Sequence, residues 1–222
     1  MAETDNLEDL PSAPFEVATV KKFCSSLGLR PTVLSSPSYS DVREYFFDCG
    51  IFHFAGHGHS DLRNPLASCL CLKDWADKPL TADRLTKDFR LYGKAPFLAF
   101  LSACLTGAIE QSHLVDKGPH LIGVFQLSGF RHVIGSLSPV PDLQWVEMAT
   151  NFYETLRKEG LLDWAVCCVF YCVMMSLRRE IAKKSGQIDR EGWRDGRVPG
   201  YPVFPSKPID YFFWVPYVHF GV

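Results

Sequence analysis

The stretch FLAFLSACLTG, residues 97–107, is apolar on both alternating faces as far as Leu101, then breaks into small residues around one cysteine. A strand that turns no face to water belongs to a parallel sheet covered by helices on both sides. GIFHFAG at 50–56 has the same character and runs directly into HGHSD at 57–61. Open parallel sheets bind their ligands beyond the carboxyl ends of their strands. Both stretches carry reactive side chains at that end.

The rest of the chain supplies the covering helices. Helical spacing is read over 13–28, with Val17, Val20, Phe23 and Cys24 on one face, and over 38–48 behind a capping Ser38 or Ser40. RPTVLSS (30–36) and ASCLCLKD (67–74) read as strands, the second as part of a hairpin, and LTADRLTKDF (80–89) as a Thr-capped helix. A helix over 118–130 and a strand over 131–137 follow, then two helices near 141–159 and 161–182 separated by Gly160. Strands alternating with helices predict an α/β three-layer sandwich. Near the end, Pro199, Pro202, Pro205 and Pro208 read as a stiff extended linker rather than a polyproline ligand. That linker delivers a last strand, Trp214–Phe220, to the sheet.

Composition narrows the function. The chain has 222 residues, enough for one domain without disulfide or metal staples. A net charge of −2 argues against a surface devoted to nucleic acid or to anionic membranes. The one basic-looking tract, 177–197, mixes seven Lys and Arg with four acids and reads as a solvated helix end and loop. The N-terminus has no signal-peptide core, and the longest apolar run, 165–175, is too short to span a bilayer and reads as a buried helix. The eight cysteines lie mostly in apolar segments and read as reduced core thiols, which implies a cytoplasmic protein.

FHFAGHGHSD (52–61) admits two chemistries. HGHSD has the H-x-H-x-D core of a binuclear metallohydrolase loop, but Leu62 stands where a further histidine ligand should follow. His113, His120, His132 and His219 show no paired ligand spacing. In the other reading, His57 serves Cys104, 47 residues later. Thiol hydrolases of the caspase type place their histidine about fifty residues upstream of the nucleophile turn. A cysteine attacks only as thiolate, so a nearby imidazole must take or share its proton, or stabilise the anion. Gly58 lets the backbone approach a scissile carbonyl, and the N–H groups of Gly58 and Cys104 could hold the oxyanion. The alternative for Cys104 alone is a buried strand-end thiol.

These motifs, in this order and spacing, resemble the CHAT domain, a caspase-like peptidase domain often attached to TPR repeats. FHFAGHGHSD is similar to its histidine motif and FLAFLSACLTG to its cysteine motif. The likeness extends over NPLASCLCLKDWADKPLTADRL (64–85), HLIGVFQLSGFRHVIGSLSPVPD (120–142) and YFFWVPYVHFGV (211–222), and the phrasing is most like fungal members. The resemblance implies a caspase-hemoglobinase-like fold, mostly parallel with helices on both faces, in which residues 13–222 form the domain behind a polar segment, 1–12. It implies a His57–Cys104 dyad, with His53 packed in or beneath the sheet and His59 flanking the cleft. No cofactor and no metal is implied. The implied partners are a protein or peptide substrate and a TPR-containing or other regulatory protein, with no nucleic acid and no membrane.

Relatives of this fold cut beside basic or acidic residues. Asp142 and Asp61 are the acids placed to receive an Arg or Lys of the substrate, unless they serve only as a helix cap and a loop acid. Two departures stand out. Ser138 occupies a position often held by Trp, and the family's first sheet strand is missing ahead of MAETDNLEDLPSAP. That strand would lie between RPTVLSS and GIFHFAG, so each would lack a neighbour along one edge. Either the natural protein extends upstream of Met1, or the chain borrows a strand. The rival to a cysteine endopeptidase is a catalytically silent regulatory module of the same fold, and behind it the metallohydrolase.

Overall fold

A computed structural model describes residue 4 and residues 7–61, 63–103, 121–136, 140–184 and 217–221. Along the chain come helices α1 (Ala13–Ser26) and α2 (Tyr39–Phe46), then strands β1 (Ile51–Ala55) and β2 (Gly58–His59). A short 3-10 turn (Pro65–Ala67) leads to β3 (Cys69–Leu70), β4 (Leu80–Thr81), α3 (Ala82–Asp88) and β5 (Leu98–Ser102). Helix α4 (Leu121–Ser128), strand β6 (His132–Ser136), helices α5 (Asp142–Glu159) and α6 (Asp163–Lys184) and strand β7 (Tyr217–Gly221) follow.

The main sheet has the order β1-β5-β6-β7, with the first three strands parallel and β7 antiparallel to β6. Strand pleating explains the three layers. On β5, Leu98 and Phe100 enter a cluster with Phe23 of α1, Trp145 and Phe152 of α5 and Val166 of α6. The intervening Ala99 and Leu101 enter the other cluster, with Phe46 of α2, Leu85 of α3 and Phe125 of α4. All four residues are completely buried, as expected of a strand apolar on both faces. Phe46 anchors the second cluster by edge-on contacts with Phe52, Phe89 and Phe130.

The helix starts follow their side chains. Ser38 makes a complete capping box with Asp41, and Thr81 caps α3 through the Arg84 N–H. Between α5 and α6, Gly160 takes φ +88°, a conformation that side chains other than glycine's strain to adopt. Strands β2, β3 and β4 form a separate three-stranded sheet, which includes the hairpin read from the sequence. Among the described residues, no helix is long and apolar enough to cross a membrane.

Two expectations are corrected. Residues 30–36 form no strand, and Val33 is 45% exposed. A β-prone segment with no strand beside it has nothing to pair with, so its composition alone does not make it a strand. The apolar run 165–175 is buried on one side only. Ala165, Val166, Val169 and Val173 face the core, while Cys167, Cys168 and Cys172 are exposed, so these three are not core thiols. The 3.6-residue period of a helix lying on a sheet leaves its outer face in water whatever its composition. The proline linker and residues 214–216 lie outside the described residues.

Candidate active site

His57 follows β1 after a single glycine. The Gly56 N–H donates to the Ser102 carbonyl at 3.0 Å, adding one rung beyond the Ala55–Ser102 register pair. The His57 carbonyl then accepts from the Cys71 N–H at 2.9 Å, which ties it to the small sheet. His57 is thus pinned on both sides by backbone bonds. In an antiparallel ladder, alternate residues bond to the partner strand. Because His57 makes that bond, Gly58, opposite Leu70, turns its N–H away from the hairpin.

The ring of His57 has an unexpected partner. Its Nε2 lies 2.7 Å from the Glu8 carbonyl oxygen, in the polar segment ahead of α1. A carbonyl only accepts, so the neutral ring carries its proton on Nε2 and leaves Nδ1 as the basic nitrogen. Four residues on, the Ser12 N–H donates to Asp142 Oδ2 at 2.7 Å. Residues 8–12 therefore run between the ring of His57 and the first residue of α5. Nothing in the composition of MAETDNLEDLPSAP signals this contact, because it is made by backbone atoms.

Cys104 lies outside the described residues, which end on that side at Ala103. What precedes it is firmly held. Ser102 is 4% exposed and donates its hydroxyl proton to Glu16 Oε2 at 2.9 Å. Glu16 is 1% exposed, and its Oε1 lies 3.0 Å from His53 Nε2. His53 Nδ1 in turn meets the Tyr153 hydroxyl at 3.0 Å, and its ring stacks on Phe100. His53 thus packs on the sheet as expected. Glu16 was missed, although a signal existed: it falls at helical spacing on the face that buries Ala13, Phe23 and Cys24. Burial beside the Glu16 charge raises the Tyr153 phenol well above its usual range.

The remaining candidates separate. Asp61 accepts the N–H groups of Arg63 and Asn64 at 2.9 and 2.8 Å, closing its own turn. Those bonds, that of Asn64 foremost, hold its carboxyl below the usual carboxylate range. His59 is exposed, its ring centroid 6.3 Å from that of Trp75. Among the described residues no three His, Cys, Asp or Glu side chains are grouped to hold a metal ion. His57 is engaged by a carbonyl and Asp61 by its own turn, so HGHSD does not gather into a ligand set. Asp142 begins α5, its carboxylate anchoring Ser12 rather than capping its own helix.

The arrangement offers an imidazole whose Nδ1 is left over by the Nε2 contact and a glycine N–H turned away from the hairpin, at the end of β1 and beside the end of β5. The family model described as the CHAT domain matches residues 1–221. No curated protein matches the chain.

Proposed function

The chain belongs to the CHAT domain family, and from that premise we propose that it is a cysteine endopeptidase with Cys104 as nucleophile and His57 as its base. One observation carries the proposal. Ala55 and Ser102 are register partners on adjacent parallel strands, and His57 and Cys104 each follow two residues later in the chain. Matched spacing from matched rungs favours one crevice served by both. In the proposed reaction, Nδ1 of His57 takes the Cys104 thiol proton and the thiolate attacks the scissile carbonyl. The Gly58 and Cys104 N–H groups receive the oxyanion, His57 returns the proton to the leaving amine, and water hydrolyses the thioester. Asp142 and Asp61 are the candidates to receive a basic substrate side chain, each with one carboxylate oxygen already engaged, by the Ser12 N–H and by the turn at 61–64 respectively.

The test is an active-site-directed electrophile offering a peptide carbonyl surrogate, with mass mapping of the adduct. We expect the label on Cys104, and we expect His57→Ala to prevent it. An unlabelled Cys104, or labelling of Cys104 indifferent to His57, would remove the dyad.

A second reading, a quiet regulatory module, is favoured by the Glu8 carbonyl on the His57 ring. A substrate needs the surface that residues 8–12 cover, so the chain would rest in a restrained state. A protein partner that draws the segment away, a TPR-containing one foremost, would then govern activity. Removing residues 1–9 should raise turnover if the segment restrains an active enzyme, and should leave a silent module silent.

A further inference from the structure

A second thiol–imidazole system lies at the opposite end of the sheet from His57. His132, completely buried at the start of β6, places Nε2 2.9 Å from Asp163 Oδ1 and Nδ1 3.1 Å from His219 Nε2. His219 Nδ1 is 3.9 Å from Cys167 Sγ on α6. Arg131 Nη1 lies 2.9 Å from both oxygens of Asp163, closing the far end. The His219 ring stacks on that of His132 at 5.3 Å and meets Phe170 at 5.8 Å on another side. Gly221 makes this possible, because a Cβ there would collide with His132 Nδ1 and with the His219 ring.

Donors and acceptors along this row are set from one end. The Asp163 carboxylate only accepts, so His132 Nε2 carries a proton. His132 Nδ1 then accepts from His219 Nε2–H, which leaves the lone pair of His219 Nδ1 facing the Cys167 thiol. When that thiol ionises, its proton goes to His219 Nδ1 while the Nε2 proton of His219 passes to His132. The product is a thiolate, a neutral His219 and an imidazolium His132 held against Asp163. His219 conducts the proton without keeping the charge. Its pKa is lowered to about 4 by burial and by the adjacent His132, which suits that role.

We propose that Cys167 is a thiol–disulfide exchange site that takes a low-molecular-weight disulfide, glutathione disulfide being the representative substrate. The Cys167 thiolate attacks one sulfur, forming a Cys167 mixed disulfide and breaking the original S–S bond. The departing thiolate takes the proton back from His219 Nδ1, and His132 returns its own proton to His219 Nε2. Cys167 is oxidised, the leaving sulfur is reduced to thiol, and the row of histidines is restored. Cys167 is exposed and open to such a reagent. Cys168 and Cys172, exposed on the same helix, are internal references.

The experiment treats the full chain with glutathione disulfide, quenches in acid and quantifies the adduct at each cysteine by fragmenting the peptides. Cys167 should react about tenfold faster than Cys168 or Cys172. His219→Ala should bring Cys167 down to the level of Cys168 while leaving the other two unchanged, whereas a loosened fold would move all three. Equal rates at the three thiols of the unaltered chain overturn the proposal, and this comparison needs no variant to fold. An unchanged Cys167 rate in a folded His219→Ala chain overturns it as well.

Discussion

Glu16 accepts a 2.9 Å hydrogen bond from the Ser102 hydroxyl, joining the first helix to the last residue of β5. Its other oxygen stands 3.0 Å from His53 on β1, a close ion-pair distance without hydrogen-bond alignment. One buried carboxylate therefore braces both strands that lead to the proposed dyad.

Glu16→Ala should be among the most damaging single substitutions. It leaves His53 and Ser102 facing a hole, and a buried polar group deprived of its partner typically costs about 1–3 kcal/mol. Urea denaturation measures it. The same variant should cut more slowly under conditions where it remains folded, because both strand ends lose their brace. A loss below about 1 kcal/mol would mean that Glu16 is a passenger.

His57→Ala and Cys104→Ala should each abolish peptide cleavage, by on the order of a thousandfold or more in kcat, and the double variant should lose no more. Neither should change the melting temperature greatly, since among the described residues the His57 ring bonds to the Glu8 carbonyl alone. Cys167, Cys168 and Cys172 are exposed and open to the same reagents. Selective labelling must therefore be judged by its dependence on His57.

A peptide library should reveal a basic residue before the cut, and Asp142→Ala should lower kcat/KM for such peptides by about tenfold. Asp61→Ala should do less to specificity and more to the turn at 61–64, whose two N–H groups it holds. A preference for Asp or Glu, undisturbed by Asp142→Ala, would end the assignment of a basic pocket.

The layers and the helix starts were legible because they are written in local chemistry: continuous apolar runs, Ser38, Thr81 and Gly160. The strand misread at 30–36 shows the limit of composition, since a strand exists only beside another strand. His132 and His219 lack ligand spacing in the sequence, yet the antiparallel pairing of β6 with β7 brings their rings together across 87 positions. The Glu8–His57 contact was invisible for another reason, because it uses a backbone carbonyl that every residue possesses.

His219 should make the fold acid-sensitive. Its pKa is lowered from 6.5 to about 4 on folding, so the unfolded chain binds more protons between those values. The contribution is complete above pH 6.5 and is lost as the pH falls towards 4. Cys167 of α6 and His132 of β6 face the ring, with Asp163 and Arg131 behind His132. Allowing for solvent screening, a decline of ~1–2 kcal/mol is expected over this range. His219→Gln should flatten it in denaturation curves taken at successive pH values.

The last prediction concerns the outer edge of β1. Among the described residues β5 is the only strand beside it. Gly50 and Gly56 direct backbone groups towards β5, so by alternation Phe52 and Phe54 do the same, while Ile51 and His53 direct theirs outward. Amide hydrogen exchange should therefore be fast at Ile51 and His53 and slow at Phe52 and Phe54. An open edge also invites association, so the 222-residue chain should self-associate in sedimentation as its concentration rises. A strand-forming segment supplied upstream, or by a partner, should slow exchange at Ile51 and His53, reduce self-association and raise turnover together, because β1 carries His57. Slow exchange at Ile51 and His53 in a monomeric chain would show that the edge is already covered, and the borrowed-strand idea would fall.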